Sequence, residues 1–213
     1  MLSLSIFSSS QRISIALYEK EELKTFYQKK LKCVKMDTIF LLLEKILKKK
    51  KINIHQIFFS IGPGSFTSIR SIKAIAEGIS NVFGSKIINI SEFDIYLASL
   101  ERKHENVLVF YESPNKKYFY QHFKFQNNKY ESSSNLCVGD LVDVSNYISI
   151  KKKKIKNFNL ISNSDIGFKI SDNVNIESVK VCIPCARKLA NAVFTGYGKP
   201  NQKIIYHHTY YAR

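Results

Sequence analysis

Between Ile57 and Ser80 the chain reads IFFSIGPGSFTSIRSIKAIAEGIS, and no other stretch restricts the possible folds as tightly. An apolar run of Ile57, Phe58, Phe59 and Ile61 halts at Gly62-Pro63-Gly64. Apolar residues then recur at helical spacing as Ile69, Ile72, Ile75, Ala76 and Ile79, which predicts a buried strand, a tight turn and a helix. Ser65 stands at the N-cap position, where its hydroxyl can accept from an otherwise unpaired N–H of the first turn. Gly62 and Gly64 permit backbone angles that a Cβ opposes. Such a turn directs free N–H groups and the positive end of a helix dipole at one point. Gly62, Gly64, Ser65 and Thr67 therefore make either a structural and interface device or an anion-binding turn. The Walker pattern is excluded because no Gly-Lys-Ser/Thr follows, and the dinucleotide fingerprint lacks its third glycine.

Strand patterns flank this unit. Leu2, Leu4 and Ile6, then Ile13, Ile15 and Leu17, alternate with polar residues across a Ser-rich turn, and predict a hairpin; Leu23–Gln28 returns as a weaker third strand after a charged turn. Asp37 is placed as the N-cap of a helix bearing Ile39, Phe40, Leu42, Leu43, Ile46 and Leu47. Its apolar positions exceed a narrow stripe, so one edge is left to seek a partner. Gly84 caps the helix that follows the turn, Ile87–Ile90 is a short strand, and Ser91 caps another helix through Leu100. The charged stretch Glu101–Asn106 marks a boundary, giving residues 1–103 and a smaller second part, 104–213. Strands are expected at Val107–Tyr111, Tyr118–Phe125 and Asn159–Ser162, with a turn at Asn127-Asn128 and a short helix over Asp140–Ile148. The last helix runs from Ala186 to a Gly196 cap.

A chain of 213 residues, 45% hydrophobic and 13% aromatic, can bury a core and is not disordered. The net charge of +16 favours an anionic partner, although abundant lysine, asparagine and isoleucine is also what an A- and T-rich genome produces. No apolar run approaches the ~20 residues of a membrane span, and no basic segment precedes the short apolar start. Cys33, Cys137, Cys182 and Cys185 without a leader point to reduced thiols, hence to a cytoplasmic protein away from membranes.

The words GPGSFTSIR resemble the GPGSFTGLR signature of the TsaB (YeaZ) family, supported by Leu4-Ser5-Ile6 with Ser8-Ser9, Ser14-Ile15-Ala16-Leu17-Tyr18, Ile90-Ser91 and a terminal Tyr-Tyr-Ala-Arg. The resemblance implies an α/β fold of the actin-like ASKHA (ribonuclease H-like) kind with mixed sheets and a reduced second subdomain. It also implies a non-catalytic scaffold that binds a TsaD-like catalytic subunit as a heterodimer through a two-helix face, in the synthesis of threonylcarbamoyladenosine at position 37 of tRNA. A TsaE-like ATPase would join the larger complex, tRNA contact would be indirect, and the chain alone could form a homodimer. Partner-facing residues on this basis are Phe40, Leu43, Leu47, Phe66, Ile69, Arg70, Ile72 and Lys73.

Departures from the family pattern weigh against catalysis. Phe7 stands where relatives carry an aspartate, leaving Ser8 and Ser9 as the polar groups of that turn, and Tyr111 occupies a second acidic position. Phenylalanine cannot ligate a cation through oxygen. Ser68 replaces a family glycine, and glycine is absent from Asn163-Ser164-Asp165 where a nucleotide-binding turn would lie. No cofactor or metal is expected. Cys182-Ile-Pro-Cys185 is half a zinc site or a redox pair, or two small core residues, and His55 is a surface histidine. The lysine runs Lys48–Lys51 and Lys151–Lys154 read as a helix cap and a lysine-protected loop or edge strand. Two other classes remain open: a small actin-fold ATPase or peptidase-like enzyme, and a basic tRNA-binding module driven by those lysines.

Overall fold

The structure, a computed structural model, describes residues 1–9, 11–32, 36–48, 52–101, 103–113, 115–152, 158–164, 176–200 and 202–205. Its described helices are Met36–Leu47 (α1), Phe66–Phe83 (α2), Glu92–Ala98 (α3), Leu141–Lys152 (α4) and Ala186–Phe194 (α5). One compact unit comprises Met1–Ala98 together with Pro184–Tyr206, and a second is built from Ser99–Ile183. The expected division at 103/104 is a single cut, whereas the chain enters the first unit twice.

In the first unit, Leu2–Ser8 (β1), Arg12–Glu19 (β2), Glu22–Lys30 (β3), Ile54–Ser60 (β4) and Lys86–Ile90 (β5) form a sheet in the order β3-β2-β1-β4-β5. The three N-terminal strands are antiparallel, and β4 and β5 run parallel to β1. The hairpin and its third strand follow the expected alternation. Lys20 and Glu21, both at positive φ, make the tight turn between β2 and β3.

One face of this sheet packs Leu4, Ile6, Ile15 and Ile57 against Ile39, Leu43 and Ile46 of α1 and Ile72 and Ala76 of α2. Serines alternating with those residues would by themselves leave the opposite face to water. Instead that face carries α5, whose Ala186, Leu189 and Ala190 join Phe7, Ala16, Tyr18 and Phe58 in a second core. The serines are satisfied by the helix start: Ser5 Oγ donates to the Ala186 carbonyl at 2.7 Å, and the Ala186 N–H donates to Ser14 Oγ at 2.8 Å. Phe194 stands edge-on to the rings of Tyr18 and Phe58, at 5.1 and 5.6 Å.

The second unit holds Asn106–Glu112 (β6), Tyr118–Gln126 (β7), Lys129–Ser132 (β8), Cys137–Gly139 (β9), Phe158–Ser162 (β10) and Ile176–Val181 (β11). Its sheet runs β11-β10-β6-β7-β8, with β9 against β7. Asn127 and Asn128, at φ 51° and 62°, make the expected turn between β7 and β8. Most aromatics of β7 are core residues: Tyr118, Phe119, Tyr120 and Phe123 are buried, and Tyr118 and Tyr120 pack with Phe110, Val144 and Ile148. Helix α4 extends four residues beyond the expected end at Ile148, so Lys151 and Lys152 belong to a helix rather than a loop or edge strand. Lys153, Lys154 and Lys156 lie outside the described residues, as do Cys33, His207, His208 and the terminal Tyr-Tyr-Ala-Arg.

Candidate functional site

Strand β4 delivers the chain into the Gly-Pro-Gly turn, which is pinned from behind. The Ile61 N–H donates to the Ile90 carbonyl at 2.9 Å, and the Glu92 N–H donates to the Gly62 carbonyl at 2.7 Å. Gly62 sits at φ +99°, where L side chains are strained, and a Cβ there would lie 3.1 Å from Ile69 Cδ1. Ser65 is the N-cap of α2 with extended backbone, accepting from the Ser68 N–H, and Gly84 closes the helix in the left-handed region. Asp37, by contrast, lies inside the first turn of α1, which begins at Met36.

The structure brings Ser8, Ser9, Ser65 and Ser68 to one place and bonds them to one another. Ser68 Oγ lies 3.0 Å from Ser65 Oγ and donates to the Ser9 carbonyl at 3.2 Å, while Ser8 Oγ donates to that carbonyl at 3.3 Å. The hydroxyl at 68, where the family has glycine, thus ties the first hairpin to the α2 cap. Thr67 is exposed. Phe7 is buried in the core against α5, which explains how an aromatic ring is accommodated there.

Glu92 went unremarked in the sequence. Its side chain is 4% exposed, its Oε1 accepts from Tyr96 Oη at 3.1 Å, and its Oε2 lies 3.1 Å from where a Cβ on Gly64 would be. Burial pushes its pKa up to about 8, with the Tyr96 hydrogen bond pulling the other way. An acid in the first turn of a short helix is unexceptional locally. Only the long-range contact with the turn sets it apart.

Helices α1 and α2 leave an open apolar groove of about 850 Å³ between them. Phe40 and Leu41 are 55% and 58% exposed on its α1 wall, and Ser71, Ala74, Ile75 and Gly78 form the α2 wall. Leu43 and Leu47 line its floor. The expected α2 face needs correction: Ile69 and Ile72 are 3% and 2% exposed and belong to the core of their own unit. Arg70, expected to reach a partner carboxylate, stacks over the Phe66 ring at 3.9 Å, and Lys73 pairs with Glu77 at 3.5 Å. The helical period of α2 was visible, but which edge of the stripe the sheet would take was not.

In the second unit, Tyr111 is buried against Phe119, as its identity suggests. The next residue, Glu112, carries a carboxylate that is held within its own unit. Glu112 accepts from Tyr118 Oη at 3.1 Å and from Ser164 Oγ, and Asn163 bonds its backbone N–H and carbonyl at 2.7 and 2.9 Å. Asn163 and Ser164 therefore tie β10 to β6. Cys182 is buried and Cys185 half-buried at the α5 N-cap without a side-chain cap bond. Among the described residues no group of three or more His, Cys, Asp and Glu side chains could hold a metal ion. Nor is any described helix long and apolar enough to cross a membrane.

Both sheets are mixed, and the three-stranded antiparallel start followed by parallel strands is that of the actin-like ASKHA fold. The chain superposes on YeaZ from Pseudomonas aeruginosa with TM-score 0.70 at 14% identity, covering 97% of this chain and 99% of that one. It superposes on a polyphosphate/ATP-glucomannokinase from Arthrobacter with TM-score 0.53 at 9% identity, over 91% and 97% of the two chains. Proteins called tRNA threonylcarbamoyladenosine biosynthesis protein TsaB from two Buchnera aphidicola strains match in sequence. The one from subsp. Acyrthosiphon pisum (strain APS) is 27% identical, covering 87% of this chain and 85% of the relative. The one from subsp. Schizaphis graminum (strain Sg) is 26% identical, covering 92% and 95%. No protein-family model matches. Over most of its length the chain is thus similar in sequence to proteins called TsaB, and in fold to YeaZ.

Proposed function

We propose that the chain serves tRNA threonylcarbamoyladenosine biosynthesis as a non-catalytic subunit, docking through the α1/α2 groove onto a TsaD-like catalytic partner. The names of its sequence relatives support the pathway. The observation that carries the docking is the groove itself, where Phe40 and Leu41 stay more than half exposed on a helix whose other face is core. Covering such side chains releases roughly 25 cal/mol per Å² of apolar surface, which offsets the entropic cost of association. A TsaE-like ATPase completes the complex, tRNA meets the chain indirectly, and in the partner's absence the same face supports a homodimer.

Phe7 and Tyr111 occupy core positions where a metal-holding acid would be needed, which supports the non-catalytic reading. Co-expression with the TsaD of the same organism, followed by sizing, tests the proposal. The two chains should co-elute, and Leu41→Asp with Ala74→Asp should separate them without unfolding this one, since both side chains are exposed. Co-elution that survives the double variant would overturn the groove as the docking face. Brisk ATP hydrolysis by the chain alone would overturn the non-catalytic role.

A further inference from the structure

His122, on β7, is 1% exposed and is bracketed by two polar side chains. Its Nδ1 lies 2.5 Å from Ser133 Oγ, and its Nε2 lies 3.2 Å from Asn106 Oδ1. The Asn106 oxygen only accepts, so Nε2 carries the ring proton and Nδ1 presents its lone pair to the Ser133 hydroxyl. Ser133 follows the end of β8 and is exposed. Its backbone N–H donates to the His122 carbonyl at 2.9 Å, and the neighbouring Ser134 Oγ accepts from the His122 N–H at 3.0 Å. The hydroxyl of an exposed serine is thereby fixed against a buried imidazole that a third group orients, the arrangement that activates a serine nucleophile.

We propose that Ser133 is an acyl acceptor, its Oγ attacking small activated acyl compounds with His122 as base and Asn106 as the positioning residue. In that step the Oγ–carbonyl bond forms, the bond to the leaving group breaks, the electron pair departs with it, and the hydroxyl proton moves to His122 Nδ1. Burial, then the charges of Lys151 on α4 and Lys124 on β7, hold the imidazole near pKa 4, so it is neutral and able to accept a proton at physiological pH. The same environment makes it a weak base, and the reaction is accordingly a slow single acylation rather than turnover. The site lies in the second unit, so it stands or falls independently of the α1/α2 groove.

A fluorophosphonate, from whose phosphorus the serine oxygen displaces fluoride in the analogous step and which spares lysine, is the probe. Intact-mass measurement should show one adduct on the folded chain, mapping to the peptide that contains Ser133, absent in Ser133→Ala and in urea-unfolded protein. Its rate should be flat from pH 5.5 to 7.5, whereas an unassisted hydroxyl gains about tenfold per pH unit through its alkoxide. Asn106→Asp retains the acceptor and gives the developing imidazolium a carboxylate, and should raise the rate by about tenfold or more. No adduct, an adduct elsewhere, or a rate that tracks hydroxide would overturn the proposal and leave His122 as a hydrogen-bonded tie between β6 and β7.

Discussion

Glu92 and His122 make opposite demands on pH, and each follows from one buried side chain. Glu92 ionises near 4.5 when unfolded and near 8 when folded, so between those values the folded state holds a proton that the unfolded state has lost. Stability therefore falls as pH rises through that window, at a limiting slope of ~1.4 kcal/mol per pH unit. Glu92→Gln keeps an acceptor for Tyr96 and has nothing to ionise; its urea midpoint should exceed the parent's at pH 8.5 and change less from pH 5.5. His122 runs the other way. Its folded pKa of about 4 lies below the ordinary 6.5, so stability is complete above 6.5 and is lost as pH falls toward 4. His122→Gln should flatten the acid limb of a pH–stability curve, at a fixed cost of about 1–3 kcal/mol for the broken hydrogen bonds. Neither residue could be singled out from sequence. Glu92 reads as an ordinary acid in a helix's first turn and His122 as one more residue in an aromatic strand, because their burial depends on segments far away in the chain.

At the scale of elements, the strand-turn-helix unit was legible because its signals are local. Gly62, Ser65 and Gly84 each do what their chemistry dictates within a few residues. Ser65→Ala should cost ~1 kcal/mol in chemical denaturation, since it strands a first-turn N–H, while Ser65→Asp should restore most of that. The face of α2 was less legible. Its apolar stripe contains Ile69, Ile72, Ile75 and Ile79, and the β4-α2-β5 crossover turns the first two fully inward, leaving Ile75 and Ile79 along the groove. Gly78 marks the consequence: a Cβ there would meet nothing within 4 Å, so the glycine is not required by the chain's own packing. Gly78→Ala should stabilise the isolated chain by up to ~1 kcal/mol through helix propensity. If the groove is a docking face, a bulkier Gly78→Leu should leave that stability intact and still weaken the complex, which separates a cost to folding from a cost to binding.

Over the whole molecule, the fold was recognisable from the hairpin, the turn and the family words, whereas the return of Pro184–Tyr206 to the first unit was not. Cys182-Ile-Pro-Cys185 drew attention as chemistry, yet its place is the entry to α5, whose first-turn backbone is held by Ser5 and Ser14 from strands more than 170 residues earlier. No local pattern announces a partner so remote. The net charge of +16 was equally plain and equally ambiguous, since it fits a nucleic-acid surface and a biased genome alike. Salt separates the two ways this molecule can hold a partner. Contacts between lysines and phosphates release counterions, so tRNA affinity carried by charge should fall by at least about tenfold between 0.1 and 0.4 M salt if even two phosphates are neutralised. A partner docked in the groove instead covers Phe40 and Leu41, whose transfer from water is not screened by salt. A complex formed there should persist at 0.5 M salt and be lost on Leu41→Asp, with tRNA retention unaffected by that substitution. Sedimentation of the two binary mixtures across the same salt series measures both. Should the protein complex dissolve with salt in parallel with the tRNA complex, the partner is held by the positive surface and not by the groove.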